Sequence, residues 1–228
     1  MSQFLHDVGV IFDLDGTLID TAGDLAASMN HVLAASDFAE ISPSAVRHLV
    51  GFGARAMLVR GFELRGVVDL DRHMMDGHVA MFLDHYLENL AVTSRPFDGV
   101  MAAIDEMRSD GARVAICTNK REKSASMLIK ALGMENIFEG IIGGDTVGVA
   151  KPDPAPVRAS MELLKAKRYV FVGDSDTDIR AAASMNLPCL LHTKGYGPFE
   201  LSDQAFALFD AYSYLPALTK EALGCRSS

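Results

Sequence analysis

Short, uninterrupted apolar runs constrain the fold of this chain more than any other feature. They are Val8 to Phe12, Val114 to Cys117, Ile141-Ile142, Tyr169 to Val172 and Cys189 to Leu191. Because these runs are apolar throughout rather than alternating, they predict parallel strands that are covered by helices on both faces. Amphipathic helical patterns lie between them. We therefore predict an α/β fold with a doubly wound, Rossmann-like parallel sheet.

One long segment breaks this alternation of strand and helix. Residues 20–92 contain helical patterns and no convincing strand. Ser42-Pro43 predicts a helix N-terminus, with serine as the cap and proline at the first helical position. An apolar stripe at helical spacing, which we interpret as core packing, contains Met75, Val79, Phe82 and Tyr86. We predict an all-helical cap domain at 20–92, inserted into an α/β catalytic core made of residues 1–19 and 93–228.

Composition disfavours several classes of partner. The 228 residues carry a formal net charge of -9, whereas nucleic-acid binding calls for basic surfaces. No apolar stretch approaches the roughly 20 residues that span a bilayer, and the N-terminus lacks the basic start of a signal peptide. Cys117, Cys189 and Cys225 are far apart, which favours reduced thiols. We predict a cytoplasmic protein without nucleic-acid or membrane partners.

The first strand is followed by two carboxylates, Asp13 and Asp15, and then by Gly16-Thr17. Residues i and i+2 of an extended segment point the same way, so both carboxylates should face one pocket. That pocket would lie at the carboxyl edge of the sheet, where α/β proteins bind ligands. Two like charges held together need a divalent cation or a shared proton. The alternative is an Asp-rich turn that caps the next helix.

Two further polar motifs follow later strands. Thr118-Asn119 offers a hydroxyl and an amide that can hold phosphate oxygens without adding negative charge. Lys151, followed by Pro152, can place a point charge on a phosphate. Taken alone, each motif is a weak signal for function, because both are typical of ordinary turns.

The fourth motif is a group of three carboxylates after the strand that ends near Val172. Asp174, Asp176 and Asp178 offer the oxygen ligands that Mg²⁺ prefers. The alternative is an acidic helix start, because aspartate is favoured at the positive end of the helix dipole. For Asp176 the sequence indicates no more than that. All four motifs follow predicted strands and should therefore converge on one edge of the sheet.

The order D-x-D-G-T, Thr-Asn, Lys-Pro and G-D-S-x-x-D resembles the haloacid dehalogenase superfamily of phosphohydrolases over essentially the whole chain. The helical insert resembles the C1-type cap of that superfamily. Within it, residues 13–25, 51–55 and 195–197 are most similar to bacterial phosphoglycolate phosphatases. The resemblance implies a Mg²⁺-dependent phosphatase that hydrolyses a small phosphate monoester through an aspartyl-phosphate intermediate.

The resemblance also implies a role for each motif. Asp13 would be the nucleophile, and Asp15 the general acid and then the base. Thr118 and Lys151 would hold the phosphoryl oxygens, and Lys151 would orient Asp13. The implied Mg²⁺ ligands are Asp13, the backbone carbonyl of Asp15 and Asp174, with Asp178 close by or acting through water.

Our candidate substrate contacts are Gly16, Asn119 and Arg55, although an arginine in a predicted helix is more often a solvated surface residue. Arg55 is our candidate for binding the carboxylate of a phosphoglycolate-like substrate, because its planar guanidinium suits a carboxylate. The alternatives within the superfamily are a sugar-phosphate mutase, a pyrophosphatase, a nucleotidase and, least favoured, a dehalogenase. A phosphoprotein-binding or structural relative is the non-enzymatic alternative. The expected partner is a small phosphorylated metabolite, and the chain could be a monomer or a homodimer.

Overall fold

A computed structural model describes residues 4–68 and 70–224, and a six-stranded parallel sheet lies at its centre. The strands, in chain order, are β1 (Val8–Phe12), β2 (Ile19–Asp20), β3 (Arg95–Pro96), β4 (Arg113–Cys117), β5 (Ile141–Ile142), β6 (Arg168–Gly173), β7 (Cys189–His192) and β8 (Ala207–Phe209). The large sheet has the order β5-β4-β1-β6-β7-β8, with every pair parallel. Strands β2 and β3 form a separate antiparallel pair.

Helices cover both faces of the sheet, so the predicted doubly wound α/β fold is confirmed. They are α1 (Ala22–Ala35), α2 (Pro43–Arg47), α3 (Ala54–Glu63), α4 (Arg72–Glu88), α5 (Val100–Ser109), α6 (Glu122–Ala131), α7 (Pro154–Leu164), α8 (Asp176–Ser184) and α9 (Leu215–Ala222). The five predicted strands are all present. The sequence analysis missed β8, a three-residue edge strand with a half-exposed centre, and the two-residue strands β2 and β3. These are too short to give a periodic signal.

Alternate side chains of β1 point to opposite faces of the sheet and pack into two different hydrophobic cores. Val10 and Phe12 are buried in the cluster that contains the apolar faces of α5 and α9. Ile11 points the other way, into the cluster that contains residues of α7 and α8. A strand buried on both faces must be apolar at every position, as β1 is.

Strand register determines where the site lies. Phe12, near the end of β1, pairs with Ile116 of β4 on one side and with Val172 of β6 on the other. Because the three strands are parallel and end level with one another, the residues that follow them emerge at the same edge. The polar motifs after β1, β4 and β6 therefore meet there.

Helices α1 to α4 lie in sequence between β2 and β3. Their apolar side chains form a cluster of their own, in which Met29, Leu58 and Phe62 are almost fully buried. Helix α2 begins as predicted, because the Ser42 hydroxyl accepts a hydrogen bond from the Ala45 amide. We propose that residues 20–92 form a cap domain, since their core is separate from the two cores that flank the sheet.

One buried carboxylate connects the two chain segments that enter and leave this helical region. Asp24 of α1 accepts hydrogen bonds from the amide and hydroxyl of Thr93 (2.8 and 2.6 Å) and of Ser94 (3.1 and 2.6 Å). Burial raises the pKa of Asp24, but these four hydrogen bonds outweigh it and leave the pKa below its usual value. The two connecting segments are thereby fixed to each other.

Among the described residues, no helix has the length and apolar character needed to cross a lipid bilayer. Cys117 and Cys189 are buried free thiols, in agreement with the prediction. Burial raises the pKa of Cys117 to about 11, so its thiol stays protonated at neutral pH. Cys225 lies outside the described residues.

Candidate active site

A cavity of about 380 Å³ lies between the carboxyl edge of the sheet and the helical segment. Its core side is lined by Asp13, Asp15, Thr118, Asn119 and Lys120. Its other side is mostly apolar and includes Leu25, Val50, Met57, Val79, Phe82, Leu83 and Tyr86, together with Arg55. Polar groups that can perform chemistry therefore face an apolar wall, which is the usual composition of a small-molecule site.

Asp13 lies in this cavity beside a buried ammonium group. Lys151 Nζ is 2.9 Å from Asp13 Oδ1 and 2.7 Å from Asp178 Oδ1, and Lys151 is only 4% exposed. Burial raises the pKa of Asp13 to about 6, although the Lys151 charge opposes this. Burial disfavours the Lys151 ammonium, but the charges of Asp13 and Asp178 outweigh it and raise its pKa. Lys151 therefore stays charged and fixes the position of the Asp13 carboxylate.

Asp174 is oriented by two donors. The Thr17 hydroxyl donates to Oδ1 (2.7 Å) and the Tyr196 amide donates to Oδ2 (2.7 Å). Burial, followed by the negative charges of Asp178 and Asp13, raises its pKa well above the usual value. Gly16 allows this close packing, because a Cβ at that position would lie 2.3 Å from Asp174 Oδ2. The structure therefore gives Gly16 a steric role beside Asp174.

Asp178 is fully buried and both of its oxygens have partners. Oδ1 accepts from Lys151, and Oδ2 accepts from the Asp174 amide (3.1 Å) and from the amide and hydroxyl of Ser175 (3.1 and 2.8 Å). This is a capping box at the start of α8. The predicted helix start and the predicted acidic site are thus the same structure.

The residues present fit a divalent cation. Asp13, Asp174 and Asp178 are buried, and each offers a carboxylate oxygen within 4.8 Å of the others. The single ammonium of Lys151 leaves this group with excess negative charge, which a metal ion would compensate. Both oxygens of Asp174 and both oxygens of Asp178 already accept hydrogen bonds, so a cation bound by either carboxylate would share an oxygen with a donor.

Asp15 faces the same cavity and is held by two groups. The Thr21 hydroxyl donates to Oδ1 (2.6 Å), and Lys120 Nζ lies 2.9 and 3.1 Å from the two carboxylate oxygens. Burial disfavours the Lys120 ammonium, but the Asp15 charge outweighs it and raises the pKa of Lys120. The sequence analysis missed Lys120. A signal was available, because Lys120 follows Thr118 by two positions and should face the same edge.

Thr118 and Asn119 both line the cavity, at the carboxyl edge of the sheet, and their hydrogen-bond partners are backbone groups. Thr118 is buried at the cavity floor and accepts a hydrogen bond from the Lys120 amide (3.1 Å). Asn119 exchanges two hydrogen bonds with the Lys151 backbone and donates a third to the Gly51 carbonyl (2.8 Å). Asn119 therefore positions the Lys151 loop and joins the core to the helical segment.

Arg55 lines the cavity, but its guanidinium forms an ion pair with Asp76 of α4 and is half exposed. To bind a substrate carboxylate it would have to leave that partner. Asp176, for which the sequence offered no account, accepts a hydrogen bond from the Leu201 amide (2.9 Å). It thereby holds the loop that follows β7.

Tyr196 connects Asp174 to the start of the helical segment. Its amide donates to Asp174, while its hydroxyl donates to Asp20 (2.7 Å) and accepts from the amides of Thr21 (2.6 Å) and Ala22 (2.9 Å). The sequence analysis used Tyr196 only as a family marker. The partners of its hydroxyl lie some 175 residues away in sequence, so these contacts could not be predicted from local patterns.

This chain resembles known proteins both in sequence and in fold. The sequence model of the haloacid dehalogenase-like hydrolases matches residues 10–191. The phosphoglycolate phosphatase of Mesorhizobium japonicum is 40% identical over 215 residues, which cover 93% of each chain. That of Agrobacterium fabrum is 39% identical over 188 residues, which cover 82% of this chain and 80% of the relative.

Solved structures show the same fold. A crystal structure of a predicted phosphoglycolate phosphatase from Haemophilus somnus matches with a TM-score of 0.85 at 29% identity, covering 96% of this chain and 99% of that one. A crystal structure from Lactobacillus delbrueckii subsp. bulgaricus also gives 0.85, at 20% identity over 95% and 98% of the two chains, and supports the fold alone.

Proposed function

We propose that this chain, which belongs to the haloacid dehalogenase-like hydrolases, is a Mg²⁺-dependent phosphatase that acts on 2-phosphoglycolate. Its relatives at 39–40% identity are phosphoglycolate phosphatases. The proposed reaction passes through an aspartyl phosphate on Asp13. One observation supports the chemistry above all others. The buried Asp13 carboxylate is paired with Lys151 at the floor of a cavity that Asp15 also lines. The substrate is proposed from the relatives.

In the proposed first step an Asp13 oxygen attacks phosphorus, and the bond from phosphorus to the ester oxygen breaks. The carboxylate becomes an acyl phosphate, and glycolate leaves as its ester oxygen gains a proton. Lys151, 2.9 Å from Asp13, lies where it can hold a phosphoryl oxygen as well as orient the nucleophile. The Thr118 hydroxyl lines the same floor and can donate to another phosphoryl oxygen. These contacts offset the charge that otherwise repels an anionic nucleophile.

Asp15 is proposed to move the protons. An alkoxide is a poor leaving group near neutral pH, so the ester oxygen needs a proton as its bond breaks. Asp15 enters this step in its protonated form and gives its proton to the ester oxygen. Its carboxylate then takes a proton from the water that attacks the phosphorus of the acyl phosphate and breaks the bond to Asp13, which restores the acid. The products are inorganic phosphate and free Asp13. Thr21 and Lys120 hold Asp15 at the cavity wall until substrate arrives.

We propose that Mg²⁺ is held by Asp13, Asp174 and the backbone carbonyl of Asp15, with Asp178 acting through water. Oxygen ligands and retained waters suit this ion. When bound, it would neutralise charge on the phosphoryl group. The partner would then be a small phosphorylated metabolite, and the proposed location remains the cytoplasm.

The substrate assignment is tested by measuring phosphate release from a panel of esters with Mg²⁺ and with EDTA. We expect 2-phosphoglycolate to give a higher kcat/KM than hexose phosphates, nucleotides or pyrophosphate, and EDTA to abolish release. A preference for another ester would overturn the substrate assignment. Interconversion of hexose phosphates without phosphate release would instead favour a mutase.

A further inference from the structure

The hydroxyl group of Tyr86, on α4, has a neighbouring donor in Lys120 but no hydrogen-bond acceptor among the described residues. The residue is 98% buried and lines the cavity, yet among the described residues its hydroxyl makes no hydrogen bond of acceptable geometry. Burial raises the pKa of this phenol, so it keeps its proton and remains a donor. A buried polar group without a partner is destabilising and uncommon, and it calls for an explanation.

Lys120 lies between this tyrosine and Asp15. Its Nζ is 4.6 Å from the centre of the Tyr86 ring and within 3.1 Å of both Asp15 oxygens. The ammonium is almost buried, with a side-chain exposure of 8%. An ammonium has three donors, so a further anion on the cavity side can share it with Asp15. A buried cation and an unused hydroxyl donor thus lie side by side.

The chemistry of the substrate places its carboxylate near these two groups. In 2-phosphoglycolate a single methylene carbon separates the ester oxygen from the carboxylate. The group that recognises the carboxylate must therefore lie close to Asp15, which the proposed function assigns to the ester oxygen. Lys120 contacts Asp15 directly, whereas Arg55 is half exposed and paired with Asp76.

We propose that the Lys120 ammonium and the Tyr86 hydroxyl form a subsite for the carboxylate of the leaving group. This inference rests on the proposed function and identifies the residues that give it specificity. Lys120 comes from the core and Tyr86 from the helical segment, so the subsite is complete only when the two are packed together. A carboxylate bound there supplies the hydrogen-bond acceptor that the Tyr86 hydroxyl lacks.

Tyr86→Phe provides the sharpest test, because it removes a hydroxyl that has no hydrogen-bond acceptor in the free protein. We expect the melting temperature in EDTA to stay unchanged or rise. We expect KM for 2-phosphoglycolate to increase about 10-fold, as for loss of a hydrogen bond to a charged group. Ethyl phosphate, which carries a methyl group in place of the carboxylate, is the matched substrate, and its KM should not change.

Lys120→Met tests the other half of the subsite. Because Lys120 also contacts Asp15, its loss is expected to lower turnover of both esters. The measured quantity is therefore the ratio of kcat/KM for 2-phosphoglycolate to that for ethyl phosphate, which we expect to fall about 100-fold. Lys130→Met, at an exposed lysine of α6, is the control, and it should leave this ratio unchanged. Arg55→Met tests the rival candidate for the carboxylate.

Two results would overturn the subsite while leaving the proposed function intact. One is an equal loss on both esters in Tyr86→Phe and Lys120→Met, which would reduce both residues to structural roles. The other is a selective loss of the carboxylated ester in Arg55→Met alone. If the wild-type protein itself shows no preference for 2-phosphoglycolate over ethyl phosphate, the proposed substrate fails, and the subsite fails with it.

Discussion

Asp13→Asn is expected to lower kcat for 2-phosphoglycolate by about 10⁴-fold or more, the scale seen when a covalent nucleophile is removed. Asparagine has nearly the same volume but cannot form an acyl phosphate. The substitution also removes one of three clustered carboxylates, so it should not destabilise the fold. Phosphate release under saturating substrate and Mg²⁺ measures the effect, and circular dichroism checks the fold.

The matched control is Asp105→Asn, an exposed aspartate on α5, which should retain wild-type activity. If Asp13→Asn kept more than about one hundredth of wild-type turnover, Asp13 would not be the nucleophile. Water activated by another carboxylate would then have to attack phosphorus directly.

Lys151→Met is expected to produce the largest loss of stability. Lys151 is the buried partner of both Asp13 and Asp178, so its removal leaves two buried carboxylates without their cation. Breaking a buried ion pair by removing one partner typically costs about 3–5 kcal/mol in free energy of unfolding. Urea unfolding in EDTA measures this, and Mg²⁺ should recover part of the loss because a divalent cation compensates the same carboxylates.

Lys167→Met is the control for this measurement. Lys167 pairs with Asp7 at the surface, where its side chain is 79% exposed, and its removal should change the free energy of unfolding little. Equal, small changes in both lysine variants would contradict the account. They would mean that the buried carboxylates are compensated by something other than Lys151.

Sequence patterns formed by residues close together in the chain predict the main strands and the acidic residues that follow them. The apolar run of β1 sets both its burial and the position of Asp13 at its end, because strand direction and pleat are local properties. The apolar run of β6 likewise predicts the position of Asp174, which follows it. Its hydrogen bond to Thr17, 157 residues away in sequence, could not be predicted in this way.

The contacts between core and helical segment were beyond sequence reasoning for the same reason. The stripe that ends in Tyr86 predicts core packing, and Met75, Phe82 and Tyr86 are indeed buried. Phe82 and Tyr86 also line the cavity, a property that depends on how α4 packs over Lys120. Apolar residues at helical spacing identify the buried face of a helix, but they do not identify the residues against which that face packs.

The central claim is that phosphoryl transfer passes through Asp13, and chemical trapping of the intermediate tests it most directly. Wild-type protein in Mg²⁺ would be mixed with 2-phosphoglycolate and quenched with borohydride, which reduces an acyl phosphate to an alcohol and so converts aspartate to homoserine. Mass spectrometry of the peptides would then identify the modified residue. The account predicts homoserine at position 13, only when both substrate and Mg²⁺ are present. Homoserine at another aspartate, or unmodified Asp13 while turnover continues, would contradict it.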